Sequence, residues 1–168
     1  MFPYLIIRQV TYQGMLQMPK TIISDTSCFI LLTNIGELDL LHRVYGNIVT
    51  TLDIATEFGE PLPDWVIIET VKDKYSQQLL ELQLDKGESS AIALALETAG
   101  STVILDDYKA RKVADRLGLS FTGTLGIIIK AKLTGVIPSI IPLLDKIKAT
   151  NFRVSEAIEQ QALLDAGE

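Results

Sequence analysis

This sequence predicts an α/β fold with a mostly parallel central sheet, on two observations. Short apolar or β-branched runs alternate with segments of helical period along the chain, the order that builds βαβ units. Two of those runs, TIIS before Asp25 and TVIL before Asp106, stop at an acid and then feed a helix. In open α/β sheets the ligand crevice lies beyond the carboxyl ends of the strands, so both acids point towards one shared site.

Residues 1–20 show no clean period and read as an N-terminal extension, either an added edge strand or an upstream segment, to a single domain over residues 21–168. Thr21 opens the first strand. Asp25 follows it, with Thr26 or Ser27 expected to cap a helix whose apolar positions begin at Cys28 and which Gly36 ends. Leu38, Leu40, Leu41 and Val44 mark a second helix, Ile48 to Thr51 a strand, and Asp53 to Phe58 a short helix carrying Glu57. Pro61 and Pro63 break the chain before Trp65–Val71, an expected edge strand. Helices over Tyr75–Leu84 and Glu88–Thr98 hinge at Asp85-Lys86-Gly87 and precede the Thr102–Asp106 strand. A helix over Tyr108–Leu117, a strand over Leu119–Thr122 and a GTLG turn into a helix over Leu125–Leu133 come next. Helices over Pro138–Ala149 and Ser155–Ala166, the latter capped by Ser155, complete the chain.

Composition narrows the class. A chain of 168 residues with 48% hydrophobic content and mean hydropathy +0.28 is too apolar to be disordered. Its most apolar late run, GVIPSIIPLL, is cut by two prolines and falls short of the ~18 residues a membrane span requires, so no membrane partner is expected. The N-terminus lacks the basic region of a secretory signal, and a single cysteine, Cys28, forms no internal disulfide; cytoplasmic residence is the expectation. Cys28 is expected in the core, and His42 at the surface or on a helix C-terminus. The net charge of −6 argues against a general electrostatic grip on nucleic acid. Basic residues nonetheless concentrate after the second acidic strand end, where Lys109, Arg111, Lys112 and Arg116 share one helix. That helix is either a solvated face or a substrate-binding one.

Each acid carries two readings. Asp25 and Asp106 end apolar strands, where aspartate is a poor β-former, yet both could cap the helices that follow. Glu88 stands three residues after Asp85 in a capping-box pattern, Glu57 suits a solvated helical position, and Asp107 suits a first helical turn. Taken together, acids in four places without a thiol cluster match hard oxygen ligation by magnesium or manganese. Two carboxylates ~4 Å apart repel by ~4 kcal/mol at an effective dielectric near 20, so such a cluster calls for cations.

The order SDTS, an acid after the second strand, GESSAIALA, ILDDYKARKVADRLGL and GTLGIIIKAKLTG resembles the PIN-like nuclease superfamily, closest to a toxin-like branch related to VapC-type ribonucleases. The resemblance covers Thr21 to Asn151 and extends plausibly to the end. It implies a three-layer α/β/α sandwich in which clustered acids bind magnesium or manganese and cut RNA. The family's acids fall on Asp25, Glu57, Glu88 and Asp106 as catalytic residues, with Asp25, Glu88, Asp106 and Asp107 as the metal set; which of Asp106 and Asp107 faces the metal stays open. Ser27 is the nearby hydroxyl and, with Lys109, Arg111 and Lys112, a substrate-binding candidate. The GTLG turn and Thr124 look like a signature of this branch. An antitoxin protein and a second copy of the chain are the implied protein partners.

Three functions fit these residues, in descending order. The first is a metal-dependent RNA endonuclease, the toxin of a toxin–antitoxin pair. The second is a catalytically weak PIN-like binding or regulatory module. The third is a phosphoryl-transfer or receiver domain, which lacks two expected features: position 27 holds serine where a haloacid-dehalogenase phosphatase needs a second acid, and no lysine closes the last strand near Thr122.

Overall fold

A computed structural model describes residues 20–168, so the extension expected over residues 1–20 lies, except for Lys20, outside the described residues. Five parallel strands form one sheet: β1 (Thr21–Ser24), β2 (Ile48–Thr51), β3 (Val66–Glu69), β4 (Ser101–Ile104) and β5 (Ser120–Thr122), in the order β3-β2-β1-β4-β5. The inner strands are buried on both faces, with Ile23, Ile48, Val103 and Ile104 wholly enclosed, as all-parallel sheets require. Each such side chain contributes ~1.5–3 kcal/mol of hydrophobic stabilisation. The segment after Pro63 is an edge strand as its prolines predict, and most of β3 is exposed.

Nine helices among the described residues flank the sheet: α1 (Thr26–Asn34), α2 (Leu40–Tyr45), α3 (Leu52–Phe58), α4 (Lys74–Glu81), α5 (Lys86–Glu97), α6 (Tyr108–Arg116), α7 (Thr124–Leu133), α8 (Ile141–Lys148) and α9 (Glu156–Ala166). α5 packs on β1, β2 and β4, with α3 and α4 beside it, while α7 packs against α2 and α9. The result is the expected α/β/α sandwich. α7 is apolar nearly all round because neighbours enclose it. Its buried Lys130 places its ammonium 4.6 Å from the centre of the Tyr45 ring. No helix is long and apolar enough to cross a membrane among the described residues.

Several element ends differ from expectation, each for a local reason. α1 starts two residues before Cys28 because Asp25, rather than Thr26 or Ser27, accepts the amide hydrogen bond at its head. The Asp85-Lys86-Gly87 segment is not a hinge outside the helix: Asp85 caps α5, and Lys86 and Gly87 form its first turn. The helix expected from Pro138 begins at Ile141, because the Glu168 carboxylate holds the Ser139 hydroxyl and the Ile140 amide and Pro142 then sits in the first turn. Cys28 is fully buried, His42 bonds the Gly46 carbonyl at 2.9 Å and stacks on Trp65, and Ser155 caps α9.

Candidate active site

Strand order reverses direction at β1, since β2 lies on one side of it and β4 on the other. That switch point opens the crevice. Ser24 pairs in register with Ile104, so the residues after each strand, Asp25 and Leu105-Asp106, leave the sheet side by side.

Asp25 is only 2% exposed. One of its carboxylate oxygens accepts from the Cys28 amide at 3.0 Å, and the other faces the Asp106 amide at 3.4 Å, a long contact. Capping does not exclude clustering at this residue: both oxygens face backbone amides, and the carboxylate still lies within electrostatic reach of Asp106. Burial pushes its pKa well above the ordinary aspartate value, the Asp106 carboxylate adds to that, and the two amides and more distant Glu88 are smaller influences.

Asp106 is clamped from the other side. Its carboxylate accepts from the Thr124 amide at 2.8 Å and the Thr124 hydroxyl at 2.5 Å, both at the head of α7, and its Oδ1 lies 3.6 Å from the Arg111 guanidinium. Arg111 also donates to the Leu105 carbonyl at 2.5 Å. Gly123 explains the GTLG motif. Its φ is −114°, extended backbone open to any residue, so turn conformation does not demand glycine. A Cβ there would run into the Arg111 guanidinium and lie 3.0 Å from Asp106 Oδ1. The glycine makes room for the pair.

Glu57 and Glu88 complete the acidic rim. Thr26 lies inside α1 and donates its hydroxyl to Glu57 at 2.6 Å. Gly87 is bare for a similar reason as Gly123: a Cβ would collide with the Glu57 carboxylate and sit 3.2 Å from the Thr26 hydroxyl. Buried hydroxyls seat this end of α5, with Ser90 bonded to both Thr51 on β2 and the Gly87 carbonyl. Asp85 supplies the cap that the sequence allowed to either reading, which separates it from Glu88. The half-buried Glu88 has its pKa pushed up to about 7, first by burial and then by Asp85, Asp107 and Glu57.

The structure thus brings Asp106 and Glu88 each within electrostatic reach of Asp25, and Asp107 and Glu57 within reach of Glu88. Asp107 is exposed and caps α6 through the Ala110 amide at 2.9 Å. Ser27 lies exposed on the first turn of α1, and Lys109 and Lys112 are exposed on α6, whereas Arg111 is drawn into the framework of Asp106. Sequence reasoning gave Thr26 only a capping role and Gly87 only a place in a hinge, and it named GTLG and Thr124 as a signature without a role. A hydroxyl residue beside each strand-end acid or glycine was the only signal they gave.

All donors here are carboxylate oxygens, two of these acids have pKa values raised partly by like charge, and among the described residues Arg111 is the one cation paired to the group. In kind, that donor set suits a hard divalent cation. Among the described residues, no three Asp, Glu, His or Cys side chains converge closely enough to hold a metal ion between them.

A parallel sheet in this order, sandwiched by helices and carrying acids at its switch point, defines a PIN-like nuclease fold. The chain belongs to the DUF3368 family of PIN domains, which it matches over residues 21–168. PIN domains are generally nucleases and typically use divalent metal ions. No curated protein and no solved structure gives a significant match to the chain.

Proposed function

We propose that this protein is a magnesium- or manganese-dependent endonuclease acting on RNA, and that it is the toxin of a toxin–antitoxin pair. The observation that carries the catalytic reading is the buried Asp25 carboxylate held against Asp106 and within reach of Glu88 at the switch point of the sheet. A buried, mutually repelling set of acids costs stability and is characteristic of sites kept for chemistry.

Asp25, Glu88 and Asp106 are the residues assigned to the cation, and since no three acids converge on one point in the metal-free protein they would have to draw together to share it. When bound, it would supply a water acidified for attack and charge to offset the phosphodiester. The chain's own contribution is orientation. The Cys28 amide fixes Asp25, Thr124 and Arg111 fix Asp106, and Thr26 fixes Glu57. In the metal-free protein burial and neighbouring acids hold the Glu88 pKa at about 7, and a bound cation would oppose that shift and keep the carboxylate ionised.

One observation favours the second reading, a binding or regulatory module. Both oxygens of Asp106 are already committed to Thr124, and one also to Arg111. Incubation with labelled single-stranded RNA separates the two. Cleavage in magnesium or manganese that stops in EDTA is expected; cleavage persisting in excess EDTA refutes the mechanism, and binding with no cleavage in either metal leaves the regulatory module.

A further inference from the structure

No three acids converge among the described residues, although the chain segments carrying Asp25 and Asp106 leave the sheet side by side. Side chains, not strands, keep the carboxylates apart. We infer that Arg111 is a built-in counter-cation that locks Asp106 away from the other acids, so that a divalent cation recruits Asp106 only by displacing the guanidinium. Arg111 thereby regulates how readily the site loads, an inference that rests on the nuclease reading for the cation itself.

The seat of this side chain is made for it. Arg111 Nε donates to the Leu105 carbonyl at 2.5 Å, which sets the guanidinium 3.6 Å from Asp106 Oδ1. Gly123 borders the seat, and a Cβ there would run into the guanidinium. The Arg111 side chain is 23% exposed and that of Asp106 only 7%, so solvent and salt screen this pair less than a surface pair. Lys109 and Arg116, on the same helix, are exposed instead. Because arginine does not shed its proton, the charge beside Asp106 is permanent.

Asp106 has no idle oxygen. Its Oδ1 accepts from the Thr124 amide and faces Arg111, and its Oδ2 accepts from the Thr124 hydroxyl. Both are turned to the head of α7, whereas Asp25 meets the backbone amide of Asp106 at 3.4 Å. A second cation on the Asp106 carboxylate would stand beside the guanidinium and be repelled by it. Removing the guanidinium should therefore favour the metal. An arginine that merely supported Asp106 predicts the opposite sign, since its loss would leave the carboxylate less well placed.

The test is manganese binding to the whole chain without RNA, read from the electron paramagnetic resonance signal of the unbound ion. Arg111→Gln, which keeps a donor for the Leu105 carbonyl, is expected to bind manganese roughly tenfold tighter than wild type. Lys109→Gln loses the same charge from an exposed position and should stay within about twofold. Arg111→Lys retains a cation but not the fork that reaches Leu105 and Asp106 together, so a gain of about threefold is expected. Arg111→Gln that binds no tighter than wild type, or Lys109→Gln that gains as much, overturns the lock and leaves the nuclease reading in place. Should Arg111→Gln not fold, Arg111→Lys with wild-type affinity overturns it equally. No manganese binding by any of these proteins overturns both the lock and the metal-dependent reading. Tighter binding by Arg111→Gln, with no RNA cleavage by it or by wild type in either metal, overturns the nuclease reading and leaves the lock standing.

Discussion

Replacing Asp25 by asparagine tests the site through stability as well as activity. The carboxamide oxygen keeps the bond from the Cys28 amide, so the capping loss is a few tenths of a kcal/mol. The 3.4 Å contact with the Asp106 amide is long enough to contribute little. Against these small losses, the change removes a buried charge repelled by Asp106 and Glu88, worth on the order of 1–2 kcal/mol after screening. Metal-free Asp25→Asn should therefore melt about 3–6 °C above wild type at pH 8. The pH dependence has a definite sign. The folded-state pKa of Asp25 lies above its ordinary 3.8, so the native state keeps a proton that the unfolded chain has lost, and wild-type stability falls as pH rises through that interval. The advantage of the variant should accordingly vanish near pH 4. Differential scanning fluorimetry in EDTA at both pH values, then in millimolar magnesium, measures this; cleavage should be lost and the gain from magnesium reduced. A variant that melts below wild type at pH 8 and gains as much from magnesium refutes the placing of Asp25 in a charge cluster.

Two other substitutions probe the supports. A fully buried group shifted from 4.5 to about 7 would carry ~3 kcal/mol, but Glu88 is half-exposed and solvent reduces this to about 1 kcal/mol. Glu88→Gln should thus raise the metal-free melting temperature by about 2–4 °C at pH 8 and leave it unchanged below pH 4.5, and equal shifts at both pH values would count against the assignment. Gly123→Ala should cost about 1–2 kcal/mol by displacing the Arg111 guanidinium from Asp106, and much less in an Arg111→Ala background; urea melts of the four proteins close the cycle, and additive losses would show that the Cβ clash is not with Arg111.

What was legible in the sequence was what periodicity and strand-end chemistry report. Ile48–Thr51 could be placed as a strand because a β-branched run follows Gly46-Asn47, and the Trp65 segment because its β-branched run follows Pro61 and Pro63. Asp25 and Asp106 could be placed at one site because the topology of a parallel sheet sends strand ends to one edge. Pairwise contacts were not legible. Nothing local in GTLG tells that Gly123 is bare for an arginine twelve residues earlier, or that Thr124 bonds an aspartate eighteen residues away. The two readings of Asp25, cap and member of a charge cluster, do not exclude each other, because a carboxylate that caps a helix still carries its charge to its neighbours.

The contact between Asp25 and the Asp106 amide spans 81 residues, and Thr124 lies eighteen residues further on. A ribosome adding ~5–20 residues per second releases the first aspartate roughly 4–16 s before the second. During that interval β1 has β2 to pair with, but its other neighbour, β4, and the clamp on α7 do not yet exist. The candidate site is consequently among the last parts of the domain to assemble. A nascent or prematurely terminated chain that ends between Asp106 and Thr124 carries Asp25, Glu88 and Asp106 without the Thr124 clamp on Asp106. Under the proposed RNA-cutting activity, the message being read is not threatened by its own product until most of the chain has been made.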